Sequence, residues 1–199
     1  MIKPRFVLEA DKYYTIENTG EGKVTEKMSR FLSFAIPVSD VEEARATIKA
    51  YQNQYHDSRH VCWAYVVGPQ RDNYNCSDNG EPSGTAGKPI LGQINSRELT
   101  NVLVVVVRYF GGIKLGTPGL IAAYRESASL ALDSAGRKEV QRMERIEVVF
   151  PYTSMNDVMK VVKEMNLNIL ERSFDNVCTI LLDVPLPLVA EAKGRLGLE

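Results

Sequence analysis

Apolar residues along this 199-residue chain fall into two patterns, short unbroken runs and longer stretches with helical spacing. The longest run is a series of valines and one leucine within residues 101–108, which is typical of a central strand that is buried on both faces. Shorter runs predict strands at residues 29–36 and 62–67, and residues 13–16 and 22–27 indicate an earlier strand and turn. A polar stretch at residues 71–75 predicts a turn.

Helices are predicted between these strands. Apolar residues recur at spacings of three and four after Ser39, which forms a capping pair with Glu42 for a helix that ends near Tyr55. A second helix is predicted to begin near residues 88–89. A third has Thr117 as its cap, Pro118 in its first turn and Gly136 at its end.

A second series of elements begins near residue 145. The pattern predicts a strand at 146–150, a helix at 154–165, strands at 167–174 and 177–184 joined by a turn at 175–176, and a helix at 187–196. This β-α-β-β-α order is most of a ferredoxin-like unit, whose last strand only residues 194–199 remain to supply. We therefore predict an α+β protein with two domains, residues 1–138 and 139–199, separated by a charged connector.

Two glycine-rich loops join strands to helices. Residues 78–89 have the sequence D-N-G-E-P-S-G-T-A-G-K-P, and residues 108–120 have the sequence R-Y-F-G-G-I-K-L-G-T-P-G-L. Glycine lets the backbone turn sharply or present consecutive N–H groups to a ligand. A P-loop needs G-x-x-x-x-G-K followed by Ser or Thr, whereas G-T-A-G-K is followed here by Pro89, and the dinucleotide pattern G-x-G-x-x-G is absent as well. We expect no ATP hydrolysis of the P-loop kind.

These two loops, preceded by Arg59-His-Val-Cys62, resemble the ordered motifs of the IMPACT/YigZ family. The resemblance implies an N-terminal domain with the β/α fold of the second domain of a small-subunit ribosomal protein. It also implies a small C-terminal domain similar to the last domain of the ribosomal translocase. Eukaryotic members resemble regulators of the starvation-responsive control of translation initiation that act by protein–protein contact, whereas this shorter chain is similar to the bacterial members.

Composition narrows the setting of the protein. No apolar run approaches the roughly 20 residues that span a bilayer, and residues 1–5 lack the hydrophobic segment of a signal peptide, so we expect a cytoplasmic protein with no membrane contact. The three cysteines form no C-x-x-C pair, which favours reduced thiols without a disulfide partner. Because the formal net charge is only −1, any site for a polyanion has to be a local patch.

The positive groups of the two loops are the candidates for such a patch. Backbone N–H groups and helix N-termini attract phosphate, and cationic side chains beside them strengthen that attraction. The predicted anion or nucleic-acid site consists of Lys88, Arg108, Lys114 and Arg125, with loop residues Ser83, Gly84, Thr85, Gly111 and Gly112. The alternative is that the glycines only let a helix pack closely on the sheet. The leading hypothesis is a translation-associated regulatory binding protein, without catalysis, that contacts RNA, the ribosome or a translation factor.

An enzyme is the rival hypothesis. Asp78, Glu81 and His60 lie in or before the first loop and would serve a small-molecule hydrolase or transferase that uses the same cleft. Two carboxylates three residues apart are too few ligands for a divalent cation, so we predict neither a metal nor a cofactor. Capping of the loop is the structural alternative for Asp78. Cys62 would need a base such as His60 to act as a nucleophile, and a buried structural cysteine is the alternative there.

Overall fold

The computed structural model describes residues 11–175 and 177–198. Its contacts divide the chain into two compact units. The first unit is residues 13–140, and the second is formed from residue 141 onward together with residues 11 and 12.

The first unit contains β1 (Lys12–Ile16), β2 (Gly20–Glu26), β3 (Ser29–Pro37), α1 (Val41–Gln54), β4 (His60–Val67), β5 (Asn73–Ser77), α2 (Gly87–Ser96), β6 (Val102–Tyr109), α3 (Gly116–Ala135) and β7 (Arg137–Gln141). The second contains β8 (Met143–Pro151), α4 (Met155–Glu164), β9 (Asn168–Phe174), β10 (Val177–Pro185) and α5 (Val189–Leu196). Short 3₁₀ turns at Tyr152–Ser154 and Leu186–Leu188 precede α4 and α5.

The first unit is built on a five-stranded antiparallel sheet in the order β2-β3-β6-β4-β5. The predicted central strand is confirmed, because β6 lies in the middle and Val102 through Val107 are all fully buried. Val102, Val104 and Val106 pack in one hydrophobic cluster with α2 and α3. The alternate residues of β6 pack in another cluster with α1 on the opposite face. Helices on both faces explain why β6 is apolar without interruption.

Two polar segments are strands, contrary to the sequence prediction. Residues 71–75 were expected to form a turn, yet β5 pairs with β4 from Asn73 to Ser77 at the edge of the sheet. Residues 137–141 were expected to be a charged connector, yet they form β7, which pairs with β1 in a two-stranded sheet. Neither strand carries the apolar alternation of a half-buried strand, because most of their side chains are exposed.

Two helix starts also differ from the predicted ones. Asp40, not Ser39, is the N-cap of α1, and its carboxylate accepts a 2.8 Å hydrogen bond from the backbone N–H of Glu43. The Glu43 side chain reaches back to accept from the N–H of Ser39 at 2.7 Å, so the capping box is shifted by one residue. Helix α3 begins at Gly116, and the predicted cap Thr117 makes no capping hydrogen bond.

The second unit has the predicted β-α-β-β-α order. Its antiparallel sheet has the strand order β8-β10-β9, and α4 and α5 cover one face through a cluster that includes Ile180, Leu182 and Val162. The predicted turn at 175–176 includes Asn176, which lies outside the described residues. The expected last strand does not follow α5 within the residues described, and Glu199 lies outside them. No helix in the described ranges combines the length and apolar character needed to cross a membrane.

Candidate functional site

The two glycine loops meet at a cavity of about 450 Å³ in the first unit. Glu81 and Pro82 come from the first loop, while Phe110 and Lys114 come from the second. The remaining lining residues are Arg59, His60, Arg108, Leu115, Gly116, Thr117 and Leu120. We call this space the loop cavity. It confirms that the two loops form a shared cleft.

A second space of about 580 Å³ lies between α2 and α3, and we call it the helix cavity. It takes Gly84 from the first loop and Lys88 and Arg125 from the two helices. The predicted cations therefore divide into two groups, with Arg108 and Lys114 at the loop cavity and Lys88 and Arg125 at the helix cavity. Both cavities are lined by residues of the first glycine loop and of α3, and we call their combined lining the cationic face.

Glu81 and Arg108 form a buried ion pair in the wall of the loop cavity. Arg108 Nη1 donates to Glu81 Oε1 at 2.7 Å, and the two side chains are 6% and 3% exposed. Tyr124 of α3 donates its hydroxyl to the same oxygen at 2.8 Å. Burial, with a smaller contribution from Cys62 and Glu81, raises the pKa of Tyr124, so the phenol stays protonated. The network thus joins β6, the first loop and α3.

The Arg108 guanidinium is further enclosed by two aromatic rings. Its central carbon lies 5.5 Å from the ring centroid of Phe31 and 5.5 Å from that of Phe110. Arg108 Nη2 has a long hydrogen bond of 3.4 Å to Ser29 Oγ, and Arg108 Nε has no hydrogen-bond partner among the described residues although it is buried. Arg108 is therefore a nearly buried cation that lines the cavity and has one donor, the buried Nε, without a partner among the described residues.

His60 presents an acceptor nitrogen toward this pair. Its Nδ1 lies 3.0 Å from the carbonyl oxygen of Asn79, an atom that only accepts, so we place the proton of the neutral ring on Nδ1. Its Nε2 lies 4.0 Å from Glu81 Oε1. Two acceptors at this separation leave room for an O–H or N–H group that donates to either of them.

Asp78 caps helix α2 instead of facing a ligand. Its carboxylate accepts hydrogen bonds of 2.8 to 2.9 Å from the backbone N–H groups of Gly84, Ala86 and Gly87. Burial acts to raise the pKa of Asp78, but these three donors and nearby Lys88 outweigh it, so the pKa lies below its ordinary value. The backbone N–H groups of Ala86 and Gly87 at the start of α2 are therefore already bound to Asp78.

Among the described residues, the side-chain carboxylates of Asp78 and Glu81 have no hydrogen-bond partner in common. The carboxylate of Asp78 binds backbone amides, whereas Glu81 binds two side chains. Within the part of the chain that the structure describes, no group of three or more His, Cys, Asp or Glu residues is arranged to hold a metal ion.

The other predicted loop residues have distinct surroundings. Thr85 is buried, and its hydroxyl donates to the carbonyl of Pro82 at 2.6 Å. A Cβ on Gly111 would overlap the backbone of Met28, so this glycine lets the second loop pack against the turn between β2 and β3. Gly112 has open space around it and Ser83 is exposed. Ligand contact by Ser83, Gly84 and Gly112 stays a prediction.

Two roles were considered for Cys62, a nucleophile and a buried structural cysteine, and the structure favours the second. Its Sγ donates to the carbonyl oxygen of Asp78 at 2.9 Å and lies 3.3 Å from the Tyr124 hydroxyl. Burial raises the pKa of Cys62 to about 12, so almost no thiolate forms near neutral pH. Cys62, Cys76 and Cys178 are all free.

The aromatic residues Tyr109 and Phe110, at the end of β6, have different surroundings. Tyr109 packs beside the α1 cluster, donates to Asp57 at 2.9 Å and lies under Arg30 at 5.2 Å. Phe110 is 45% exposed and lines the loop cavity. Only Phe110 is therefore positioned at the cationic face.

The N-terminus of α3 opens onto the loop cavity. Leu115 occupies the N-cap position without a side-chain hydrogen bond, and Gly116 and Thr117 line the cavity. The positive end of the dipole of this 20-residue helix therefore lies at the same space as Lys114 and Arg59. The arrangement favours an anion. In the sequence analysis Arg59 stood only as the first residue of the Arg59-His-Val-Cys62 motif, because its distance along the chain from Lys114 hid the fact that both line this cavity.

Comparison with known proteins agrees with the geometry of the loops. The model of the Impact N-terminal domain matches residues 27–132, which include both glycine loops. The chain therefore belongs to the IMPACT family, as the motifs predicted.

Similar relatives are found in bacteria. The chain is 38% identical over 152 residues to IMPACT family member YvyE of Bacillus subtilis, covering 76% of this chain and 70% of YvyE. It is 31% identical over 173 residues to IMPACT family member YigZ of Escherichia coli, covering 86% and 85% of the two chains. A crystal structure described as a hypothetical protein superimposes with a TM-score of 0.75 at 28% identity, covering 94% of this chain and 92% of that one.

Proposed function

We propose that this protein is a translation-associated regulatory binding protein that contacts RNA, free or within the ribosome, through the cationic face. The observation that carries the proposal is the charge of that face. Three Lys or Arg residues and one acid line the loop cavity, and two Lys or Arg residues without an acid line the helix cavity. A chain with a formal net charge of −1 thus concentrates positive charge at one place.

Most of the charge is available for a ligand, although Lys88 lies near the carboxylate of Asp78. Glu81, the acid at this face, is already paired with Arg108. No ion pair in the described part of the chain involves Arg59, Lys88, Lys114 or Arg125. All four are exposed. Exposed and unpaired cations on neighbouring elements are suited to successive backbone phosphates of a single strand.

The family adds the biological setting. The resemblance implies a role around translation, and for the eukaryotic members one of protein–protein contact, so a translation factor is the alternative partner. We also propose the domain folds that the resemblance implies, a ribosomal-protein-like domain at residues 1–138 and a ferredoxin-like domain at 139–199. The strand order β8-β10-β9 supports the second of these folds.

Binding of single-stranded RNA over a range of salt concentrations tests this function. We expect the variant Lys88→Ala/Arg125→Ala to bind more weakly, with a salt slope lower by about 0.7 for each RNA phosphate that the variant no longer neutralises. A matched control is Arg45→Ala/Lys49→Ala on α1, which packs on the opposite face of the sheet and should not change binding. Arg108 is unsuitable because its removal leaves Glu81 buried and unpaired. RNA binding that is unchanged in the first variant and in Arg59→Ala/Lys114→Ala would contradict the proposal.

The second candidate function is a small-molecule hydrolase or transferase that uses the loop cavity. The observation in its favour is His60, whose acceptor Nε2 stands 4.0 Å from Glu81 Oε1 while Nδ1 is oriented by the carbonyl of Asn79. A base held by an orienting partner is a common arrangement for proton transfer. Asp78 has no such role in this version of the hypothesis, because its carboxylate is occupied by three backbone amides.

A further inference from the structure

We infer that the loop cavity binds a terminal phosphomonoester of a nucleotide, either the 5′-phosphorylated end of single-stranded RNA or a free mononucleotide. For an RNA end as the ligand, this inference rests on the proposed function. For a free mononucleotide it does not, because such a ligand would bind the loop cavity whether or not the protein binds RNA. The helix cavity would then contact internal phosphates, which carry a single charge each.

Charge complementarity favours a terminal phosphate over an internal one. Glu81 compensates Arg108, so the loop cavity keeps the two positive charges of Arg59 and Lys114. A phosphomonoester carries a charge of about −1.5 to −2 at neutral pH, close to the opposite of that sum. An internal phosphodiester carries a single negative charge and would leave one of the two cations unmatched.

Two independent structural features converge on a position for the phosphate. The first is the N-terminus of α3, whose N-cap residue Leu115 supplies no side-chain acceptor and whose first residues line the cavity. By contrast, Asp78 fills the N-terminus of α2. The second is Arg108, which is 5% exposed, lines the cavity and has a buried Nε without a hydrogen-bond partner among the residues described. Backbone donors at a helix start together with a guanidinium are the groups that bind phosphate oxygens well.

The remainder of the loop cavity suits one nucleotide. Its volume of about 450 Å³ lies near the lower end of the roughly 300 to 1,000 Å³ that small-ligand pockets occupy. Phe110 lines the cavity and is 45% exposed, so the part of its ring that Arg108 does not cover can contact a base. A duplex would not enter a space of this size, whereas the end of a single strand would.

Titration of the full chain with defined nucleotides tests the inference. Two single-stranded RNAs of identical sequence, one with a 5′-phosphate and one with a 5′-hydroxyl, are compared at the same salt concentration. Adenosine 5′-monophosphate, adenosine and inorganic phosphate are titrated separately, with the amides of Gly116 and Thr117 followed by NMR. We expect the 5′-phosphorylated RNA to bind about tenfold more tightly or better, since hydrogen bonds to a charged group are roughly that strong. Adenosine 5′-monophosphate should shift both amides and bind more tightly than adenosine or phosphate alone.

Matched variants assign the preference to the loop cavity. Lys114 and Lys88 are both exposed lysines, one at each cavity, so neither substitution threatens the core. Lys114→Ala should remove most of the preference for the 5′-phosphate, whereas Lys88→Ala should weaken both RNAs equally and keep the preference. Equal affinity for the two RNAs, with no response to adenosine 5′-monophosphate, would overturn the inference and leave the proposed function intact. Binding of the mononucleotide without binding of either RNA would support the inference and contradict the proposed function.

Discussion

Arg108 of β6 and Glu81 of the first glycine loop form an ion pair of 2.7 Å between Nη1 and Oε1, although both side chains are more than nine-tenths buried. The pair connects the end of the central strand to the loop that precedes α2. Tyr124 donates to the same Glu81 oxygen and adds α3 to the connection. The cationic face is therefore held from inside by a group of polar side chains whose charges balance each other.

Breaking this pair from one side should destabilise the protein strongly. Arg108→Leu leaves the Glu81 carboxylate buried without its counter-ion, and such a change typically lowers the free energy of unfolding by about 3 to 5 kcal/mol. Urea denaturation of Arg108→Leu, Glu81→Leu and the double variant measures the loss in free energy of unfolding. The loss in the double variant should be clearly smaller than the sum of the losses in the two single variants.

The exposed pair of Arg97 and Asp133, at 2.8 Å, provides the control. Asp133 is 60% exposed, so Asp133→Ala should cost less than about 1 kcal/mol. Equal destabilisation by Asp133→Ala and Arg108→Leu would show that the buried pair has no special structural role.

Asp78 should give the protein a pH-dependent contribution to stability. Its pKa is lower in the folded protein than in the unfolded chain, so the contribution is complete above the ordinary Asp value of about 3.9 and is lost as the pH falls through the folded pKa. Asp78→Asn removes the charge that the amides of Gly84, Ala86 and Gly87 stabilise. Urea denaturation should show that the wild-type protein is more stable than Asp78→Asn, and that this difference is larger at pH 7 than at pH 3. A constant difference at the two pH values would be inconsistent with this role.

The cysteines should differ in reactivity. Burial raises the pKa of Cys62 to about 12 and Cys178 is fully buried, whereas Cys76 is only partly buried. Alkylation with iodoacetamide at pH 8, followed by mass spectrometry, should modify Cys76 first and leave Cys62 unmodified until urea unfolds the chain. Rapid modification of native Cys62 would indicate an accessible thiolate and would revive the nucleophile hypothesis.

Two glycines should respond in opposite directions to the same substitution. Gly111→Ala would place a methyl group into the backbone of Met28 and should destabilise the protein by displacing the second loop. Gly92 lies within α2 and has no atom within 4 Å of an added Cβ, so Gly92→Ala should stabilise it by about 0.5 to 1 kcal/mol. Thermal unfolding of both variants checks this prediction, which a stabilised Gly111→Ala protein would refute.

Turnover is the property that separates the enzyme hypothesis from the binding hypothesis. We expect broad hydrolase screening to detect no activity that depends on His60. If the enzyme hypothesis holds, His60→Ala should reduce an observed rate by about 10²- to 10⁴-fold, the usual contribution of general acid–base catalysis, while leaving stability unchanged. Such a result would replace binding by catalysis as the function of the loop cavity.

The elements with strong apolar patterns could be predicted from the sequence. The valine run identified β6, because helices cover both faces of the sheet there. The shared cavity could be expected from the two glycine loops, because each loop joins a strand to a helix of the same unit. β5 and β7 could not be recognised, because an exposed strand is fixed by its pairing partner and not by its own composition.

The site was only partly predictable for a related reason. The candidate residues were found, but their roles depend on contacts between distant segments. Nothing in the loop sequence shows that Asp78 turns back to cap α2 or that Glu81 meets Arg108, 27 residues further on. Spacing alone suggested a pair of free carboxylates, whereas each one has its own partners.

The most direct test of the central claim, that the cationic face binds RNA, is NMR mapping of backbone amides during titration with single-stranded RNA. The account predicts that the amides of Arg59, Lys88, Lys114 and Arg125 shift progressively, that the shifts diminish as salt is raised, and that the amides of α1 remain in place. Shifts confined to α1 or to the second unit, with the amides around both cavities unchanged, would contradict it.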